Sequence, residues 1–104
     1  GGFSTSPDMH RFALAMLAGE LVGSESLDRM WTPQSETGYG YGFVLGESPA
    51  GKVVDHSGGF YGINANLDIF PESGYIAVVM SNYGRAAGPV ATRIKELLGR
   101  IPRE

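Results

Sequence analysis

The chain has 104 residues, 42% of them hydrophobic and 18% charged, with a formal net charge of −3 and no cysteine. This length fits a single domain over residues 1–104 with a modest core. The lack of cysteine excludes disulfides, thiolate metal sites and a cysteine nucleophile. An isoelectric point of about 5.3 argues against a nucleic-acid-binding surface, and no apolar run approaches the roughly 20 residues of a membrane span. The cellular compartment stays open.

The first residues and the glycine content carry two further expectations. The chain starts at Gly1 without a methionine, and no charged stretch followed by an apolar stretch indicates a signal peptide. We therefore expect this chain to be part of a longer polypeptide. Its 16 glycines are about twice the usual share of roughly 7%, so they need an explanation in backbone conformation or close approach.

Two helices are predicted in the first third of the chain. The segment Ser6-Pro7-Asp8 offers a hydroxyl cap, a proline in the first turn and an acid at the positive end of the helix dipole. The apolar residues that follow at helical spacing are Met9, Phe12, Ala13, Met16 and Leu17. Gly19 or Gly23 ends this helix, and Ser24 or Ser26 caps a shorter second one.

Four strands follow, predicted from the alternation of apolar with polar or glycine residues and from the turns between them. The expected ranges are 39–46, 52–56, 63–69 and 75–80. In the third strand apolar residues alternate with Asn64, Asn66 and Asp68, which predicts one buried and one solvent-facing side. The fourth is an almost unbroken apolar run, which predicts a central strand covered on both faces.

A last helix is predicted from Gly88-Pro89 to Pro102, with an apolar stripe on one side and Lys95 facing water on the other. Consecutive strands joined by short turns should pair antiparallel. The predicted fold class is therefore α+β: an antiparallel sheet of about four strands packed against N- and C-terminal helices.

Several familiar motifs fail on inspection. The segment 46–52 nearly matches a phosphate-binding loop, but Val53 stands where the magnesium-binding hydroxyl belongs, and a strand pattern follows instead of a helix. A hairpin turn is the better interpretation. His10 and His56 have no recognisable metal-ligand spacing, so neither a metal nor a cofactor is expected. Asp55 stands where a nucleophile elbow around Ser57 needs glycine.

The most unusual stretch is Asp55-His56-Ser57-Gly58-Gly59-Phe60-Tyr61-Gly62. Its glycines expose backbone N–H groups, and donors aimed in advance at a strand edge are what an oxyanion hole requires. The plainer alternative is a strand that ends in a glycine turn and carries a surface histidine and serine.

Five segments in order resemble the C-terminal part of the serine β-lactamase-like family, which includes class C β-lactamases, related esterases and D-stereospecific peptidases. The matching segments are residues 1–8, 38–43, His56-Ser57-Gly58-Gly59, Pro71 and 78–82. In that family a Lys-Thr-Gly or His-x-Gly triplet lies on a strand that lines the active site. The His56-Ser57-Gly58 triplet matches the histidine version.

The resemblance implies a set of site residues. His56 would bind a substrate carboxylate or support proton transfer, and Ser57 would hydrogen-bond the substrate. The N–H of Gly59 would supply half of an oxyanion hole. Three neighbours are expected to contribute to substrate binding: Gly58, Tyr61 and Asn64.

The family's Ser-x-x-Lys and Tyr-x-Asn motifs do not occur in this sequence. The resemblance therefore implies a fragment of a serine hydrolase that cleaves an amide or ester, with the nucleophile on a missing N-terminal segment and no turnover by this chain alone. Two alternatives stay open. One is a non-catalytic ligand-binding module that uses Tyr39, Tyr41 and Tyr61; the other is an oligomerising unit, because missing parts of a sheet leave apolar edges exposed.

Overall fold

A computed structural model describes residues 2–102. Its elements, in chain order, are α1 (Ser6–Leu17), α2 (Ser24–Met30), β1 (Val44–Ser48), β2 (Gly51–Phe60), β3 (Ile63–Phe70), β4 (Tyr75–Ser81) and α3 (Ala87–Leu98). The strands form one antiparallel sheet in the order β1-β2-β3-β4. Each strand pairs with its neighbour in the chain because short turns join them. The predicted α+β fold is confirmed.

The sheet separates two apolar clusters, since successive residues of a strand point to opposite faces. One face packs against α1 and α2, and its buried members are Ala13, Met16, Trp31, Phe43, Leu45, Val54, Leu67 and Ile69. The other face packs against α3 through a smaller cluster that comprises Ala50, Val53 and Phe70 with Ala77 and Leu98. The described residues therefore form three layers: helices, sheet, helix.

Both predicted helix caps are shifted in the structure. The Thr5 hydroxyl, not that of Ser6, accepts the amide of Asp8 at 3.3 Å, and Ser6 is the first residue of α1. Gly23 precedes α2 and provides no side-chain cap. In both cases the residue at the N-cap lies one position before the first serine that was predicted to cap the helix.

The first predicted strand is wrong over its first half. Regular pairing begins only at Val44, because the chain reverses at Gly42, where φ is +82°. The amide of Gly40 donates to the carbonyl of Phe43 at 2.8 Å, and Tyr39 forms a bridge with Val44. A Cβ on Gly40 would collide with the carbonyl oxygen of Met30. The glycines in this segment therefore fold it back against α2 instead of extending it.

The fourth strand is also placed differently from the prediction. β4 lies at an edge of the sheet in the described part of the chain, not at its centre. Its apolar run is explained by coverage from two sides, since α1 and α3 both pack against it. An apolar run indicates that both faces of a strand are covered; it does not indicate how many strands lie beside it.

The polar face of β3 is a third correction. Asp68 is fully buried, because α3 covers the side of the sheet that the alternation predicts to face water. Lys95 on α3, also predicted to face water, places its Nζ 3.6 Å from the Oδ1 atom of Asp68, with a quarter of its side chain exposed. This contact joins α3 to the sheet.

Candidate active site

The candidate site lies on the second half of β2. β1 begins at Val44, which pairs with Asp55, so β1 has no residue beside His56 or beyond; β3 pairs with β2 as far as Phe60. Within residues 2–102, the segment 56–60 therefore has a strand on one side only. We call its other side the open edge. Gly58 and Gly59 lie inside this strand, and the chain turns after Phe60, at Tyr61 and Gly62, where Gly62 has a φ of +73°.

The amides of Ser57 and Gly59 face the open edge. Along an antiparallel strand, the N–H and C=O groups of successive residues point alternately to the two neighbours. The amide of Lys52 donates to the Oε1 atom of Glu72, which follows β3, at 2.8 Å. The N–H and C=O groups of the even-numbered residues of β2 therefore point toward β3. Those of the odd-numbered residues point toward β1, and beyond Asp55 that side is the open edge.

His56 stands at the open edge on the face of the sheet that packs against α1 and α2. Its Nδ1 atom lies 2.7 Å from the carbonyl oxygen of Ser57, and its Nε2 atom lies 3.2 Å from the hydroxyl of Tyr39. The two rings meet edge to face, with centroids 6.0 Å apart. The imidazole is therefore held by two contacts, although its side chain is exposed.

The structure puts the side chain of Ser57 on the opposite face of the sheet from His56, since neighbours in a strand alternate. Ser57 is exposed and pairs in register with Asn66 of β3. A ligand along the open edge would thus have the imidazole on one side and the hydroxyl on the other. A Cβ on Gly58 would meet nothing within 4 Å, so the space around that residue is open.

The two remaining predicted residues differ in their surroundings. Asn64 uses both ends of its amide within the protein: Nδ2 donates to the carbonyl of Gly58 at 3.1 Å, and Oδ1 accepts the amide of Ala87 at 2.8 Å. These bonds tie β2 to the start of α3. Tyr61 is 92% exposed at the tip of the β2–β3 hairpin, edge to face with Phe60. Their roles in substrate binding stay predictions.

Two apolar cavities adjoin the site. One, of about 650 Å³, has His56, Ser57 and Gly58 in its wall. The other, of about 720 Å³, includes Gly59 and Phe60. They share several wall residues, namely Gly2, Phe3, Ser4, Gly58, Ala65 and Met80. The open edge is thus bordered by apolar surface on the side of His56.

Behind the site, two carboxyl groups face each other under α3. Asp55 and Asp68 are register partners on neighbouring strands. Burial raises the pKa of Asp68, and the charge of Lys95 opposes this rise. Burial and then the charge of Asp68 raise the pKa of Asp55, opposed by Lys95 and His56. Neither carboxylate oxygen of Asp68 has a hydrogen-bond partner within residues 2–102.

Sequence reasoning missed two features of this region. Tyr39 reaches His56 only because the chain reverses at Gly42, and Lys95 reaches Asp68 only because α3 covers that face.

Among the described residues, no group of three histidine, aspartate or glutamate side chains is placed to hold a metal ion. In the same part of the chain, no helix combines the length and apolarity needed to cross a membrane.

The comparisons with known proteins agree with this architecture. The family model described as Beta-lactamase matches residues 1–99. A curated relative from Bacillus subtilis (strain 168), named "Putative penicillin-binding protein PbpX", is 33% identical over 101 residues, which are 94% of this chain and 25% of the relative. The chain belongs to the beta-lactamase family, as the resemblance in the sequence indicated.

A solved structure is similar in the same way. The crystal structure of a penicillin binding protein from Bacillus halodurans matches with a TM-score of 0.79 and 26% identity, and the match covers 89% of this chain and 30% of that one. The predicted partial β-lactamase-like fold is thereby confirmed. This chain spans about a quarter of the length of the curated relative that it matches.

Proposed function

We propose that this chain supplies one wall of the active site of a serine hydrolase that cleaves an amide or ester through an acyl-serine intermediate. Family membership supports the reaction class. The observation that carries the proposal is the direction of the Gly59 amide, which points to the open edge beside His56. A backbone donor in that position can stabilise the oxyanion that forms when a carbonyl is attacked.

The proposed site includes two side chains besides the amide of Gly59. His56 and Ser57 flank the open edge from opposite faces of the sheet, so a substrate lying along it would meet both. The Ser-x-x-Lys nucleophile does not occur in residues 1–104, and we place it in another segment of the whole protein. This chain should then show no turnover of a chromogenic lactam or a nitrophenyl ester by itself; robust turnover would overturn the proposal.

The sharper experiment uses a chimaera in which this chain replaces the matched segment of PbpX. Acylation by a fluorescent penicillin is followed in time, and hydrolysis of a nitrophenyl ester is measured in parallel. Gly59→Pro removes the proposed donor at an open edge, where no ladder hydrogen bond is lost. We expect its acylation rate to fall by roughly 10²–10³-fold.

Gly59→Ala is the matched control, because it keeps the N–H. Its Cβ would lie 3.4 Å from the Nδ2 atom of Asn64, an ordinary contact with a side chain. We expect acylation within a few-fold of the parent chimaera. Thermal unfolding of both variants checks that the fold survives. Equal acylation by the proline and alanine variants would contradict the role given to Gly59.

A second role, association between copies of this chain, is favoured by the edge of β4. Tyr75–Ser81 contains no charge and no proline, the residues that usually protect an edge from pairing. If the chain associates, Met80→Lys should lower the mass measured by light scattering at micromolar concentration. Leu21→Lys, at an apolar residue of similar exposure away from the sheet, is the control. A monomeric mass for the unsubstituted chain would exclude this role.

A third role, ligand binding without catalysis, would use the exposed aromatic side chains near the site. Of the three tyrosines expected to serve it, Tyr61 is the most exposed. Quenching of tyrosine fluorescence by a saccharide or peptide, lost in Tyr61→Ala, would support this role if no covalent adduct forms with the penicillin.

A further inference from the structure

Tyr39 is the one side chain in the described part of the chain whose hydroxyl contacts His56, and it comes from a segment 17 residues away. The reversal at Gly42 and the bridge between Tyr39 and Val44 bring it there. Tyr39 therefore lies beside the first residue of β1, where the open edge begins. Its position is thus fixed by backbone contacts that are independent of the imidazole.

The contacts of the imidazole determine which ring nitrogen carries the proton in the neutral ring. The carbonyl oxygen of Ser57 can only accept, so the Nδ1 atom 2.7 Å away must be the donor. The neutral ring then has its lone pair on Nε2. The hydroxyl of Tyr39, 3.2 Å from Nε2, therefore donates to it.

We infer that Tyr39 is a positioning residue for His56. The carbonyl of Ser57 selects the Nδ1–H form of the neutral ring, and the hydroxyl of Tyr39 holds the imidazole at the open edge by donating to the accepting Nε2 atom. The inference deepens the proposed function and rests on it for its catalytic meaning. The ring geometry itself is a property of this chain and is testable without any reaction.

Nitrogen-15 NMR of the labelled chain tests the ring geometry directly, because the chemical shifts of the two ring nitrogens identify the protonated one. At a pH where the ring is neutral, we expect the Nδ1–H form to predominate at His56. In Tyr39→Phe the Nε2 atom loses the hydrogen bond that it accepts, whereas the bond from Nδ1 to the carbonyl of Ser57 is kept. The nitrogen-15 shift of Nε2 should then move from its value in the parent chain, while the Nδ1–H form continues to predominate.

Two controls are built into the sequence. His10 is the only other histidine and lies exposed on α1, so its signals should not change in Tyr39→Phe. Tyr83→Phe removes an exposed hydroxyl elsewhere and should leave His56 unchanged. An Nε2 shift at His56 that Tyr39→Phe does not alter, or a predominant Nε2–H form in the parent chain, would overturn the inference.

The chimaera separates this inference from the proposed function. If both hold, Tyr39→Phe lowers the acylation rate and His56→Ala lowers it at least as much, while the double variant is no slower than His56→Ala alone. If the NMR result holds and neither substitution changes acylation, Tyr39 positions His56 but the proposed function of His56 is wrong. An effect of Tyr39→Phe that persists in the His56→Ala background would show that Tyr39 does not act through the imidazole.

Discussion

The two halves of β2 show how one strand combines a structural role with a candidate functional one. Residues 51–55 all pair with β1, and Val54 and Asp55 pair with β3 as well; this half includes Val53 and Val54, both buried. Residues 56–60 have a strand on one side only and are all exposed. The backbone groups that pair with β1 in the first half face the open edge in the second half. The well-packed half holds the other half in place.

The largest expected contrast between the halves is in amide hydrogen exchange. The amides of Val53 and Asp55 face β1, whereas those of Ser57 and Gly59 face the open edge. Paired core amides exchange through opening reactions that approach global unfolding, and unpaired ones exchange through small fluctuations. For a domain of ordinary stability we expect protection to differ by roughly a thousandfold or more. Equal protection at Val53 and Gly59 would show that the open edge is paired in solution.

The two halves of β2 should differ less in how much the truncation of a side chain lowers the free energy of unfolding. Val54 is 0% exposed, so Val54→Ala leaves a cavity and should lower the free energy of unfolding by about 2 kcal/mol. Ser57→Ala at the exposed half should change it by less than about 0.5 kcal/mol. Urea denaturation followed by circular dichroism measures both. A loss in Ser57→Ala as large as that in Val54→Ala would mean that the second half is also part of the core.

The smallest expected effect concerns the carboxyl pair at the boundary of the two halves. The folded-state pKa values of Asp55 and Asp68 are raised above their ordinary value of 3.8. The folded state therefore favours the protonated carboxyls, and the stability that this provides is lost as the pH rises through the raised values. Each group can reduce the free energy of unfolding by up to about 1.4 kcal/mol per pH unit in that window.

Asp68→Asn tests this pH dependence. The variant should gain stability relative to the parent as the pH rises above 3.8, because its amide is never ionised. Asp28→Asn, at an exposed position, is the control and should show no such gain. Chemical denaturation between pH 4 and pH 7 measures the difference. An Asp68→Asn variant that loses stability relative to the parent over this range would show that the ion pair with Lys95 outweighs the cost of burial.

The local patterns of the sequence predicted most of the elements. Helical spacing located α1 and α3, and period-two alternation located β3. The turn pattern at residues 48–51 located the first half of β2, which was predicted to end at His56 and continues to Phe60. These patterns succeed because they depend on which side of one element is apolar. They fail at residues 39–43, where alternation typical of a strand occurs in a segment that the glycines reverse.

The predictions of which residues are buried and of where a strand lies in the sheet failed where an element distant in the sequence determines the result. The alternation in β3 correctly puts Asp68 on the face opposite Leu67, yet nothing local shows that α3 covers that face. The apolar run of β4 correctly indicates two covered faces, and the structure places it at an edge. Burial depends on what packs against a residue, which a single segment does not specify.

The His-Ser-Gly triplet and its glycines could be singled out from the sequence alone, because residue types and order carry the family resemblance. What the sequence left open was whether Gly59 has a free amide and what holds His56. The amide of Gly59 is unpaired because β1 pairs with β2 only as far as Asp55. His56 is held by Tyr39 because the chain reverses at Gly42. Residue chemistry is local, whereas the direction of an amide and the partner of an imidazole arise only when separate segments are brought together.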